Sequence, residues 1–434
     1  MAESQGHHTR RGFLINTGKM TAGAGLGFVL PPQIFAANFA FAADSTAPAE
    51  RVRIGCIGVG NQGRGNLGAH LKNVVAVCEV DSTRLAEAKA RVEKANGGQC
   101  AAYSDYRKLL DDRNVDAVVV TTPDHWHALI TTDACAAGKD VYCEKPLTLT
   151  VAEGRRMVQA ARQHGRIVQT GSQQRSDARF RLACELVRSG KLGKVHTVRV
   201  GIPPVNFKGP AVADTAPPPE LDYEFWLGPA PQKPYNALHV HYNFRFFWDY
   251  SGGQLTNFGA HHLDIAQWAL GMDGSGPVAI EGKARYHDKG WYEVPEWCEI
   301  VYKYANGTTV LCGQGYRGGV TLEGENGTIF VDRGKIESTP AELVKTPLTE
   351  SDVHLYVSGN HHANWLECIK TRNSPICDVE IGHRSATVCH LGNIAARIGR
   401  PITWDPVKEE ITGDSEASRM LSRPYREPWK LRSV

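Results

Sequence analysis

The sequence predicts an α/β chain in two parts: an N-terminal Rossmann-type, doubly wound parallel sheet, and a C-terminal α+β domain of open, mostly antiparallel sheet flanked by helices. Three observations carry that prediction. From Arg51 to about Gly171, short β-branched runs alternate with helix-length amphipathic stretches, the pattern of a parallel sheet covered on both faces. The spacing Gly58-x-Gly60-x-x-Gly63 stands between the apolar run Val52 to Ile57 and a segment that reads as a helix. From Lys194 to Val200 and from Val278 to Ile336 the chain alternates in strand fashion, with hairpin turns suited to Asn306-Gly307 and Asn326-Gly327.

Length and composition set the frame. At 434 residues the chain exceeds what one core organises, so two domains and a processed end are expected: 1–43, 51–171, 172–403 and a tail, 404–434. A hydrophobic content of 42%, with 22% charged residues and a formal net charge of +3, is that of a globular protein without a bias toward polyanions. Nucleic acid is not an expected partner. The first 43 residues differ from the rest, with Arg10-Arg11 ahead of an apolar Gly/Ala-rich stretch and Ala40-Phe41-Ala42-Ala43 as a small-residue cleavage site. They resemble a twin-arginine export signal, which places the mature protein in the periplasm. The alternative, a membrane anchor, is weakened by Asn16, Lys19 and the glycines, and no other segment suits a span. Eleven cysteines, an odd number without metal-type CxxC spacing, several inside strand-like runs, predict few or no disulfides and no structural metal.

The strands of the first domain are expected at Val52 to Ile57, Asn73 to Val80, Val115 to Thr121, Lys139 to Cys143 and Arg166 to Gln169. A strand before the glycines and a helix after them let Gly58 make the turn and Gly60 admit a pyrophosphate against bare backbone. Helix N–H groups then face the anion, and Asn61, Gln62 and Gly63 complete the loop. Glu79 lies about twenty positions beyond the first glycine, where a carboxylate can accept from both ribose hydroxyls, and Asp81 follows one pleat further. A carboxylate there repels a 2′-phosphate and favours NAD over NADP, while Arg84 keeps NADP open. The segment Thr121-Thr122-Pro123-Asp124-His125-Trp126-His127 falls at the carboxyl edge of a central strand, so its threonines, proline and histidines are cofactor candidates, or helix caps in the plainer reading. Glu144-Lys145-Pro146 ends the next strand, where a lysine can hold a hydroxyl about to lose hydride.

Taken together, GxGxxG after the first strand, Thr-Thr-Pro-Asp-His-x-His and Glu144-Lys145-Pro146 resemble the Gfo/Idh/MocA family, the glucose–fructose oxidoreductase and inositol dehydrogenase group. The resemblance covers residues 51 to about 400. It implies that Lys145 lies beside the substrate hydroxyl under a nicotinamide, with Glu144 and Gln173 near the cofactor. It also implies that Gly259-Ala260-His261-His262-Leu263-Asp264 delivers His261 as the proton carrier to the open face of the large sheet, whose outer face would serve a homo-oligomer, dimer or tetramer. One departure matters: inositol dehydrogenase types carry an aspartate four residues before that histidine, and this chain has Asn257. The imidazole is then expected to lose a charged partner.

Gln174, Arg175 and His262, and the stretch His239 to Trp248 with His241, Tyr242 and Trp248, are the substrate candidates, since aromatic faces beside hydrogen-bonding groups suit a sugar. The plainer reading of His239 to Trp248 is a surface loop pinned by its aromatics. Residues 203–234 read as a long loop, and no element is assigned from Trp404 onward. The expected function is an exported NAD-dependent oxidoreductase acting on a secondary hydroxyl of a sugar, polyol or glycoside. Two alternatives stay open: a glycosidase working through transient oxidation and elimination, and a non-catalytic binding protein with a relic nucleotide site.

Overall fold

The computed structural model describes residues 51–432 apart from residue 208. The predicted export signal, residues 1–43, lies outside the described residues.

The first domain is built as β1 (Ile54–Ile57), α1 (Asn61–His70), β2 (Val74–Cys78), α2 (Ser82–Asn96), β3 (Ala101–Tyr103), α3 (Tyr106–Asp111), β4 (Ala117–Val120), α4 (His127–Ala136), β5 (Asp140–Cys143), α5 (Val151–Gln163) and β6 (Val168–Thr170). All six strands are parallel, in the order β3-β2-β1-β4-β5-β6. The order reverses at β1 and β4, so the crevice for a ligand opens beyond their carboxyl ends. Four-residue runs such as Ala117-Val-Val-Val120 are buried throughout, as strands covered on both faces must be. Helix starts are specified locally: Asp81 caps α2, and Thr150 with Glu153 forms a reciprocal capping box on α5. The sequence missed β3, whose three residues carry no period of their own.

The second domain continues as α6 (Ala178–Arg188), β7 (Val195–Gly201), α7 (Tyr223–Leu227), α8 (Gly253–Asn257), α9 (Gly259–Leu270), β8 (Ala279–Arg285), β9 (Trp297–Lys303), β10 (Thr309–Gly313), β11 (Gly319–Gly324), β12 (Gly327–Asp332), β13 (Lys335–Thr339), α10 (His361–Thr371), α11 (Val379–Ile398), β14 (Ile402–Asp405), β15 (Glu410–Thr412) and α12 (Ser415–Arg419). Its sheet has nine strands in the order β13-β12-β11-β7-β10-β9-β8-β14-β15, antiparallel except for β7 against β10. This bears out the predicted fold class. Alternation decides the faces: Cys298, Ile300 and Tyr302 of β9 join the core with α6, α9 and α11, while Val301 faces the other way, half-buried.

The region from Trp404, to which no element was assigned, is ordered. Trp404 belongs to β14 and Ile411 to β15, both in the large sheet, and residues 425–429 return toward the first domain. There Trp429 packs edge-on to Trp126 and to Phe225, Tyr425 donates to Glu153, and Arg426 donates to the Gly228 and Ala230 carbonyls. Residues 203–234 form an arm pinned to the first domain, where Leu221 bridges Asp81 and Ser82 donates to the Glu220 carbonyl. All eleven cysteines are free and buried. Among the described residues no helix is long and apolar enough to cross a membrane.

Candidate active site

A cavity of about 650 Å³ runs along the carboxyl ends of β1, β2, β4 and β5 and is closed on its far side by residues of the second domain. At one end the chain turns on Gly58, whose φ of +80° lies in the left-handed region; a Cβ there would fall 2.6 Å from the Thr121 carbonyl oxygen. Gly63 does not line the cavity but lets α1 pack against the turn, since a Cβ would lie 2.1 Å from the Gly58 oxygen. Gly60 precedes α1, whose first turn has no side-chain cap, so its N–H groups stay available to an anion. Asn61 and Gln62 line the same loop.

The Glu79 carboxylate lines the cavity and accepts from the N–H groups of Val59 (3.0 Å) and Val80 (2.9 Å). Burial pushes its pKa up and those donors pull it back. Asp81 is spent elsewhere: it caps α2 through the Arg84 N–H and pairs with the side chains of Arg84 (3.7 Å) and His241 (3.2 Å). Bare backbone, open N–H groups and a carboxylate at the end of β2 are the donor set a dinucleotide requires, and the residues fit one.

Thr121, Thr122 and Pro123, the cofactor candidates of this segment, line the cavity, joined by Asp124, which sequence reasoning did not single out. The Asp124 carboxylate accepts from Ser251 (2.5 Å), and burial raises its pKa. The two histidines of this segment do not reach the cavity. His125 is sealed among Trp226 and Tyr250 with Nε2 3.1 Å from the Trp226 carbonyl, and burial drives its pKa to about 3. His127 sits 2.9 Å from both the Thr122 and Pro146 carbonyls, so it fixes one lining loop against the other.

At the centre, Glu144 gathers amides from three positions: Gln62 (3.3 Å), Asn66 (3.0 Å) and Gln173 (3.2 Å). The next residue, Lys145, reaches across to the second domain, where its Nζ donates to the Asn257 carbonyl and side-chain oxygens, both at 3.0 Å. Asn257 therefore holds the lysine. Burial lowers the Lys145 pKa, against the opposing pull of Glu144 and Asp124. One turn later, His261 lines the same cavity with its Nδ1 buried and unpartnered. Burial holds its pKa well below the usual value, reinforced by the charges of Lys145 and Arg333, so the ring is neutral at neutral pH.

Of the substrate candidates, Gln174, His241 and Tyr242 line the cavity, the Gln174 amide having no hydrogen-bond partner. Three do not. Arg175 is fully buried in a bidentate ion pair with Asp264 (2.8 Å) and a second pair with Asp273 (2.7 Å), a structural clamp between the 173–176 turn and α9. His262 points to the opposite side, with Nδ1 2.9 Å from the Gly201 carbonyl. Trp248 carries the Arg397 guanidinium over its ring at 4.4 Å. Adjacent residues diverge here because 100° per residue separates neighbours on a helix, and sequence proximity to a site residue is no guide. Arg245, inside the stretch His239 to Trp248 expected at the substrate, lines the cavity, and so does Arg333, which was not predicted; Arg333 comes from a hairpin turn far along the chain, which leaves no local signal.

Fold and cavity together define a two-domain oxidoreductase of the nicotinamide type, with the dinucleotide cradle on one domain and Lys145 and His261, one from each domain, lining the same cavity. The comparisons with known proteins agree. The model of the NAD-binding Rossmann fold of the oxidoreductase family matches residues 52–172, and that of its C-terminal alpha/beta domain matches residues 185–431. The chain belongs to the Gfo/Idh/MocA oxidoreductase family. It is 28% identical over 371 residues to a myo-inositol 2-dehydrogenase of Thermotoga maritima, covering 80% of this chain and 94% of that protein. A shorter stretch of 120 residues is 35% identical to a glycosyl hydrolase family 109 protein of Shewanella, covering 26% of each chain. Among solved structures, the aldose-aldose oxidoreductase of Caulobacter crescentus superposes with a TM-score of 0.61 at 21% identity, covering 81% of this chain and 99% of that one. The WlbA dehydrogenase of Bordetella pertussis, in complex with NADH and UDP-GlcNAcA, gives 0.60 at 20%, covering 82% and 99%.

Proposed function

We propose that the protein is an exported NAD-dependent enzyme that oxidises a secondary hydroxyl of a sugar, polyol or glycoside. The observation that carries this reading is the convergence of Lys145 and His261, from separate domains, on one cavity beside the glycine-loop cradle. A bound nicotinamide supplies the acceptor for hydride from the carbon bearing the hydroxyl. Lys145, with two of its three N–H groups engaged by Asn257, keeps one donor to polarise the substrate oxygen. The neutral His261, whose side chain lines the cavity, accepts the hydroxyl proton. Gln174 and Tyr242 offer an amide and a phenol to the remaining hydroxyls.

Glu79 supports NAD over NADP, since its carboxylate repels a 2′-phosphate, and Arg84 is already paired with Asp81. The His241–Asp81 contact closes the second domain over the ribose end of the cradle, which suits an enzyme that keeps its cofactor through many turnovers. Retention matters if the twin-arginine segment exports a folded holoenzyme to the periplasm, where free NAD is scarce. The half-buried Val301 and Leu311 on the helix-free face of the large sheet suit a dimer or tetramer.

The test is to denature the purified protein and measure released NAD, then to incubate it with myo-inositol, pyranoses and aryl glycosides. Near-stoichiometric NAD and a keto product are expected, and Lys145→Ala should lose at least about a hundredfold in kcat. Release of an aglycone without net NADH would instead favour the glycosidase reading, to which the family 109 similarity lends support. Protein without cofactor, or a Lys145→Ala variant with most of its turnover, would overturn the assignment.

A further inference from the structure

Two guanidinium groups flank the Lys145 amine without carboxylate partners. Arg245 stands on the single turn Asn243–Phe246 and Arg333 on the turn between β12 and β13, and both line the cavity. Among the described residues neither has a carboxylate oxygen within 4.0 Å, in contrast to Arg84 at the cradle end, which pairs with Asp81. Each rests instead on an aromatic face. The Arg245 guanidinium carbon lies 3.9 Å from the Tyr242 ring centroid, and that of Arg333 lies 5.2 Å from Phe258. Such stacking fixes the direction of a guanidinium and leaves its donors free. The Arg245 Nε is buried and has no hydrogen-bond partner.

The carboxylates of the cavity are already committed. Glu79 accepts from backbone N–H groups, Glu144 from three amides, Asp124 from Ser251 and Asp177 from Arg179. Two guanidinium groups without a direct ion pair thus stand beside a lysine that is itself buried. Burial is the largest cause of the lowered Lys145 pKa, Glu144 and Asp124 oppose it, and Arg245 and Arg333 add smaller depressions, as Arg333 does at His261. Mutual repulsion among cations in a partly desolvated cleft is unfavourable until an anion enters it.

We propose that the sugar or polyol oxidised between Lys145 and His261 carries an anionic substituent, a carboxylate or a phosphate, which Arg245 and Arg333 bracket. The planar fork of a guanidinium matches either oxyanion, and two forks from separate turns of the second domain would fix which hydroxyl meets Lys145. The competing anion is the pyrophosphate of the cofactor. The Gly58–Gly63 loop and the start of α1 provide for it at the other end of the cavity, and the side chain that approaches Gly60 is that of Arg84. This inference rests on the hydride-transfer reading given above.

The experiment compares matched substrates on the holoenzyme: glucuronate with glucose, galacturonate with galactose, and glucose 6-phosphate. NADH formation, binding by calorimetry and NAD content are followed in the wild type, Arg333→Gln, Arg333→Lys and Arg245→Gln. At least one acid or phosphate ester should exceed its neutral counterpart in kcat/KM by tenfold or more. That ratio should fall about tenfold to a hundredfold in each Gln variant and recover in part in Arg333→Lys, with NAD content kept. Added salt should lower the ratio. Equal or better turnover of neutral sugars overturns the proposal while leaving the dehydrogenase reading intact. An Arg245→Gln protein that loses NAD but keeps the preference for acids assigns that residue to the cofactor and overturns its part. Acid binding abolished in Arg333→Gln, with no NADH formed by any protein, supports the anion site and removes the hydride-transfer reading. Neither binding nor turnover of any anion overturns the proposal.

Discussion

At the scale of single residues, burial sets how Lys145 titrates, against the opposing pull of Glu144 and Asp124. Burial lowers the lysine below its ordinary 10.5, and Asn257 offers only dipoles to offset this. Replacement of Asn257 by Asp would place a negative charge on the ammonium and raise its pKa. The alkaline limb of the kcat/KM profile, expected below pH 10.5 in the wild type, should therefore move to higher pH in Asn257→Asp; an unmoved limb would show that Lys145 does not titrate in the reaction. The acid limb should lie below pH 6.5 in the wild type, because His261 is held neutral by its surroundings. Much of this centre was legible in the sequence, since Gly58, Glu79, Glu144 and Lys145 follow strand ends directly and His261 stands in a helix segment found by its family resemblance. What was not legible is direction. Arg175 and His262 neighbour cavity residues in sequence and face away from them, while Asp124, Arg245 and Arg333 carry no distinguishing local pattern.

At the scale of elements, five strands of the first sheet announce themselves as β-branched runs, because a strand buried on both faces must be apolar along its whole length. The strands missed, β3, β14 and β15, have three or four residues each, and edge pairing rather than composition makes them strands. The C-terminal segment shows the same limit. Its prolines and charges read as a tail, yet Trp429 and Tyr425 cover Trp126 and the buried capping carboxylate of Glu153. Ending the chain after Leu421 would uncover that aromatic contact and remove the partner of a buried acid. The truncated holoenzyme should lose roughly 2–4 kcal/mol of stability in urea unfolding, and an unchanged midpoint would mean that the segment is only apposed.

At the scale of the whole molecule, several histidines are buried in neutral form. Burial lowers His70, His361 and His390 from 6.5 to about 4 and His125 to about 3. Between those values and pH 6.5 the unfolded chain binds protons that the folded one refuses, so stability increases with pH in that window and is lost as pH falls through it. Paired acids such as Glu380, held at about 2 by Arg155 and Arg384 against the opposing effect of burial, add their loss only below about 4.5. The unfolding free energy should therefore decline from pH 6.5 downward, before the carboxylates titrate. A flat profile between pH 6.5 and 4.5 would contradict the burial of these rings.

Eleven thiols sealed in the interior give the molecule a history as well as a structure. While the chain stays closed, burial keeps sulfur protonated and unreactive, and an oxidant finds nothing to attack. Once it opens in an oxidising medium, an odd set of unprotected sulfurs can be joined in many wrong ways, and the route home is lost. Working lifetime is then governed by how seldom the molecule opens, a kinetic ratchet in place of a reversible balance.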